Sequence, residues 1–337
     1  MLTDIFATRY HEKQIFEHFR EPQRRLLVQA FRLIKEQLPT AYLDAFWSDL
    51  HSRISMELGM VTLGAAEYNW DGNRKTLNTK LMCEKWYMAP LSGPAYADTY
   101  VKNRLSLVEL AFRKQGEQVA ASLTAIDRLS ATTRVKIPEP DAVAHALTLG
   151  SRSLDNLRTN TSRESQAYES TANELNIRLR QAGAGLHYHN GFLQIAGDLV
   201  SAQQIEEPFW SIVADEKWAN IDHDMKEAVD ARDTGGRDPA WHAARALESA
   251  IKVVSNARQL TTGKERGAQA FAENLLRGKL IATWEFDQLR LFFANVRNEL
   301  GHGPGDKPMP ELSPELTDWA IEFCMSWIKL LVRRHEK

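Results

Sequence analysis

Arg297, Asn298 and His302 are residue types that could do chemistry together at the spacing they have in this 337-residue chain. They lie in the stretch Phe292-Phe293-Ala294-Asn295-Val296-Arg297-Asn298-Glu299-Leu300-Gly301-His302-Gly303-Pro304-Gly305. A guanidinium is a permanently charged fork suited to phosphate, and an imidazole exchanges protons near neutral pH. Asn298 can hydrogen-bond a ribose or hold the histidine. No carboxylate cluster stands beside them in sequence, so the set suits RNA cleavage without a metal or any other cofactor. The ribose 2′-OH would be the nucleophile, His302 the general acid or base, and Arg297 the stabiliser of developing charge. Five positions along an unbroken helix turn through about 140°, which would separate Arg297 from His302. Gly301 is therefore the expected helix end, after which His302 can turn back. The helix carboxyl end favours a cationic imidazole there. The same residues also fit a plain helix C-cap with a histidine on the last carbonyls, and the spacing alone leaves both readings open.

The elements that must position this junction read as mainly α. Trp284, Leu289, Phe292, Phe293, Val296 and Leu300 form the apolar face of a helix leading into it. Upstream, residues 240–256 read as a helix that is apolar at Trp241, Ala244, Leu247, Ala250, Ile251 and Val254. Arg245, Glu248 and Lys252 run along a neighbouring stripe, and Asp238-Pro239 marks the start. Downstream, Ser313-Pro314-Glu315-Leu316 is a capping start for a last helix with Leu316, Trp319, Ala320, Phe323, Trp327, Ile328 and Leu331 apolar. Residues 201–337 thus read as an antiparallel helical bundle.

Residues 1–200 read as a second, helical domain ending in a β-hairpin. Helices are expected over 24–38, with Pro22 at the start and Pro39 past the end, then through Phe46 to Leu58, then over 95–115. Residues 65–95 are less regular, with turn signals at Asp71-Gly72-Asn73. Residues 117–182 read as helical in three pieces, interrupted near Pro138-Glu139-Pro140. Asn190-Gly191, between two short strand-like runs at 185–196, is a strong hairpin signal. His187 and His189 share one face of its first strand. They read as a structural or surface pair, since no acidic or cysteine partner for a metal stands nearby in sequence.

Composition narrows the function classes. With 43% hydrophobic residues the chain can bury a core. The 42 basic and 44 acidic residues give a net charge of −2, so any nucleic-acid site must be a local patch rather than bulk charge. The two cysteines, Cys83 and Cys324, form no CxxC pair, which argues against a cysteine-rich zinc module and suits a reducing, cytoplasmic setting. No apolar run approaches a membrane span.

The order helix, Arg-Asn-x3-His-Gly, turn, helix resembles the HEPN superfamily (higher eukaryotes and prokaryotes nucleotide-binding), many of whose members are RNases. The resemblance covers about residues 219–337 and includes Ala246-Leu247-Glu248-Ser249-Ala250-Ile251-Lys252. The wider order is similar to AbiJ-like abortive-infection proteins: Glu109-Leu110-Ala111-Phe112-Arg113, then Glu174-Leu175-Asn176-Ile177-Arg178, the Asn190-Gly191 hairpin, and the Gly-His-Gly-x-Gly tail at 301–305. It implies a helical amino-terminal domain before a HEPN domain, and an endoribonuclease effector of antiviral defence. It also implies a homodimer through the bundle, with Arg-His pairs of both protomers facing one cleft. Arg297 and His302 carry over as catalytic, with Asn298 supporting. Glu248 on the upstream helix is a supporting candidate or an ordinary carboxylate. RNA is the implied partner, and a phage-derived or host trigger would switch activity on. The alternative is a non-catalytic HEPN module that binds nucleotide, RNA or protein and only dimerises. Toxins regulated by AMPylation carry a tyrosine two residues after the histidine. Pro304 stands there in this chain, so that regulation is not expected.

Overall fold

The structure, a computed structural model, describes residues 4–64, 67–71, 73–133, 141–196, 201–301 and 311–336. It is mostly helical and divides into two compact units, Asp4–Leu193 and Gln194–Lys337. No helix among the described residues is long and apolar enough to cross a membrane.

In the amino-terminal unit, α1 (Phe6–Arg9) precedes α2 (Glu21–Gln37) and α3 (Asp44–Glu57). In α2, Leu26, Leu27, Ala30, Phe31, Leu33 and Ile34 are buried, the stripe expected of a helix packed on one face. Leu38 then turns extended ahead of Pro39, as the proline ring requires. A short antiparallel ladder follows, β1 (Glu67–Trp70) with β2 (Asn73–Thr76), paired from Glu67↔Thr76 to Trp70↔Asn73. The sequence shows only the turn of this hairpin. Its strands are four residues long, too short for an alternating pattern to stand out. Asp71 takes a φ of 53° in the turn.

Beyond α4 (Thr79–Met88), α5 (Ala97–Thr133) forms the centre of this unit. Val101, Leu105, Leu107, Val108, Leu110, Ala111 and Phe112 are buried on all its sides, which marks an interior helix. It runs through Gly116, where the sequence reading ends one helix and begins another. A Cβ at Gly116 would lie 2.7 Å from the Tyr168 hydroxyl, so this glycine permits a close approach by α6 (Asp141–Gln181) rather than stopping α5. Residues 152–166 are part of α6. The break expected at Pro138-Glu139-Pro140 lies outside the described residues.

Glu109 lies at the centre of α5 and is fully buried. It accepts hydrogen bonds from the Phe6 amide (3.1 Å), Arg9 Nη2 (2.7 Å), Arg113 Nη2 (2.8 Å) and the Leu193 amide (2.8 Å). A desolvated carboxylate is tolerable when its lone pairs are filled this completely. Both guanidinium groups lie over the Phe192 ring, at 4.8 Å for Arg9 and 4.2 Å for Arg113. Phe192 opens β4 (Phe192–Ile195), which forms a two-stranded sheet with β3 (Leu186–His189) across Asn190-Gly191. Both turn residues have positive φ, 41° and 87°, the geometry that makes Asn-Gly a hairpin signal. Asn176 fixes the hairpin to α6 by bonding both the carbonyl (2.9 Å) and the amide (2.7 Å) of Tyr188.

The carboxy-terminal unit contains α7 (Glu207–Ile212), α8 (Ala219–Thr234), α9 (Pro239–Ala257), α10 (Gly267–Arg277), α11 (Thr283–Phe292), α12 (Asn298–Gly301) and α13 (Pro314–His335). α9 packs against both α8 and α13. Its buried Ala240, Ala243, Ala244, Ala246 and Ala250 let those neighbours come close. Asp238 takes the N-cap position with Pro239 first in the helix, as expected, but with φ 54° and no capping bond from its side chain. Its carboxylate pairs with Arg237 Nε at 3.0 Å instead. Ser313 does cap α13, accepting from the Leu316 amide. Leu289, Phe292, Phe293, Val296 and Leu300 join the core. Trp284, placed on the same face by the sequence, stands 62% exposed.

Candidate functional site

Arg297 is positioned by a change of helical pitch. α11 runs to Phe292 and passes into a π-helical turn, Phe293–Arg297, before α12 resumes at Asn298. A π turn inserts an extra residue into the helical register and is found often at functional sites. Here it sets the direction of Arg297 against α9 while Phe293 and Val296 stay buried.

The structure brings Arg297 and Glu248 together. Arg297 Nη2 lies 3.1 Å from Glu248 Oε2, and Arg297 Nη1 lies 3.4 Å from Asn298 Oδ1. The Arg297 side chain is 31% exposed and that of Glu248 10%. Arg297 Nε is buried and has no hydrogen-bond partner among the described residues. The second oxygen of Glu248, Oε1, takes Lys252 Nζ at 2.7 Å. One buried carboxylate thus anchors two half-exposed cations. This arrangement fixes a guanidinium in place and leaves Nη1 facing toward Asn298, a geometry suited to an anion. α12 is described as far as Gly301, and the helix end expected there falls at the limit of the described residues. His302 lies outside the described residues, so its approach to Arg297 stays an expectation.

Two further groups on α8 and α9 were not foreseen. Arg245 Nη2 reaches the buried Asp224 Oδ1 at 3.1 Å. Burial raises the Asp224 carboxyl above its ordinary range, and the Arg245 charge opposes that rise. Glu227 stands between two histidines, 3.1 Å from His223 Nε2 and 3.2 Å from His242 Nδ1. Burial lowers the His242 imidazole, against the pull of Glu227. The stripe Arg245, Glu248, Lys252 is visible in the sequence, but its partners on α8 and on the motif helix depend on tertiary packing. The rings of His187 and His189 stack on β3 at 5.9 Å. Among the described residues, no group of three or more His, Cys, Asp or Glu is arranged to hold a metal ion.

The fold therefore defines a mainly helical protein, with one unit arranged around a buried glutamate and another carrying an anchored arginine. Residues 4–211 match the domain described as AbiJ N-terminal domain 4, and the chain belongs to that family of abortive-infection proteins. No curated protein and no solved structure matches the chain.

Proposed function

We propose that the chain is the endoribonuclease effector of its abortive-infection response, cutting RNA without a metal through a HEPN-type Arg297/His302 pair. The observation that carries this reading is the anchoring of Arg297 by the buried Glu248, beside Asn298 and five positions before His302 in the chain. In the reaction the 2′-OH loses its proton as its oxygen attacks the adjacent phosphorus. The bond from phosphorus to the 5′-oxygen breaks, that oxygen takes a proton, and a 2′,3′-cyclic phosphate remains. His302 moves one of these protons, and Arg297 neutralises charge on the phosphoryl oxygens.

A single Arg-His pair is half of the proposed centre, and a second copy supplies the other half. The surface of the bundle supports such pairing. Trp284 and Leu291 share one face of α11 and are 62% and 53% exposed. Leu316 and Trp319 on α13 are 51% and 48% exposed, although they belong to the apolar positions of that helix. Trp319 sits 6.0 Å from the Phe292 ring, which stacks on Phe323 at 4.5 Å. Large apolar groups left open this way suit an interface.

The alternative is a non-catalytic HEPN module, in which the Arg297–Glu248 pair only ties the motif helix to α9 and the site binds nucleotide, RNA or protein. Purified chain incubated with single-stranded RNA in a metal chelator decides between them. Cleavage that disappears in His302→Ala supports the nuclease. Equal cleavage by the variant sinks the assignment to His302, and binding without cleavage by wild-type chain purified from infected cells supports the module.

A further inference from the structure

We propose that α9 carries a track for single-stranded RNA. In it Lys252 and Arg297 hold backbone phosphates, and the stacked Trp241–Arg245 pair receives a base. The inference rests on the RNA reading above and extends it to residues outside the Arg297/His302 pair.

Positions 241, 245, 248 and 252 are spaced by four, three and four residues, so they share one face of α9. From Trp241 to Lys252 the helix rises about 16 Å. That is room for at most about five nucleotides at stacked spacing.

The cations on this face differ from those of the solvated helices. On α2, Arg24 pairs with Glu21 at 66% and 54% exposure, so both partners stand in water. On α9 each acid is sunk behind its cation. Arg245 is 40% exposed over Asp224 at 7%, and Lys252 is 42% exposed over Glu248 at 10%. The buried oxygens hold the cations from behind and leave their outer donors to solvent. With Arg297 the face presents three cations against two recessed carboxylates. Phosphates need this arrangement: charge held in place, and no carboxylate at the surface to repel them.

The base end is supplied by Trp241, half-buried, with the Arg245 guanidinium 4.8 Å from its ring centroid. A guanidinium plane backed by an indole is a flat, cationic surface, and unpaired bases stack on such surfaces. Glu227 pairs with His223 and with His242, the neighbour of Trp241 in the chain, and bounds the track there.

The test uses the full chain carrying His302→Ala, so that the probe stays intact. A fluorescently labelled single-stranded RNA oligonucleotide is titrated in chelator over a range of salt. Lys252→Met is expected to weaken binding about five-fold or more and to reduce the slope of log affinity against log salt by about 0.7. Lys252→Arg should restore both. Trp241→Leu should weaken binding about ten-fold and leave the salt slope unchanged. If circular dichroism shows that the tryptophan variant has not folded, Arg245→Gln serves in its place, with weaker binding and a reduced salt slope expected. Wild-type affinity and slope in Lys252→Met overturn the track, as does a failure of Lys252→Arg to restore them. The nuclease reading is judged separately, by cleavage with and without His302. A chain that cleaves RNA while Lys252→Met binds normally keeps the nuclease and loses the track. A chain that binds through Lys252 but never cleaves keeps the track and loses the nuclease.

Discussion

Glu248 is 10% exposed and accepts from Arg297 and Lys252 on its two oxygens. Its charge matters more than its shape. Glu248→Gln keeps the size and one acceptor, and gives up the ionic hold on both neighbours. Under the nuclease reading, a less firmly oriented Arg297 should slow single-turnover RNA cleavage about ten-fold, equivalent to about 1.4 kcal/mol of transition-state stabilisation. A rate equal to wild type would make the pair a structural tie. The sequence identifies Arg297, Asn298, Gly301 and Glu248 as candidates by residue type and periodicity. It does not reveal that Glu248 joins Arg297 to Lys252, because that contact spans 49 positions and depends on the π turn.

Elements whose ends are written in local chemistry were the most legible. Ser313 caps α13, the Asn190-Gly191 turn closes β3 on β4, and Pro39 stands just beyond α2. Elements decided by packing were less so. Gly116 looks like a stop until Tyr168 is seen against it, and Trp284 looks like core until the bundle leaves it outside.

One tie between helix ends makes a measurable difference with pH. Glu285, in the first turn of α11, bonds Arg334 at the end of α13 through both oxygens, at 2.8 and 2.9 Å, and also takes the Ala282 amide. The Arg334 hydrogen bonds, helped by that amide, hold the Glu285 carboxyl below the ordinary 4.5, while its burial works the other way. A carboxyl depressed in the fold favours the folded state at pH above its unfolded value. That contribution is lost as pH falls from about 4.5 through the lower folded value. Glu285→Gln should therefore lower the melting temperature at neutral pH and flatten its dependence below pH 4.5. An unchanged acid limb in the variant would show that other carboxylates dominate.

For the whole molecule, the testable feature is the exposed face of the bundle. If Trp284, Leu291, Leu316 and Trp319 meet a second copy, Trp319→Asp should shift the chain from dimer to monomer in sedimentation. Under the nuclease reading it should also abolish RNA cleavage, since each protomer carries half of the centre. A wild-type monomer that cleaves at full rate would remove the paired cleft from the mechanism. Composition anticipated this scale only in part. The net charge of −2 argues against bulk polyanion binding, but it does not show where the cations along α9 are concentrated.

Glu109 also bears on the timing of folding. Its donors come from Phe6, 103 positions earlier in the chain, and from Leu193, 84 positions later. Contacts of such sequence separation form late and slowly, because the intervening chain must first be gathered. As the polypeptide leaves the ribosome, this carboxylate remains short of a donor until the second hairpin strand has emerged. The amino-terminal unit therefore cannot close until nearly all of it has been made, and Arg297, with the residues proposed to cut RNA, is synthesised only after that point.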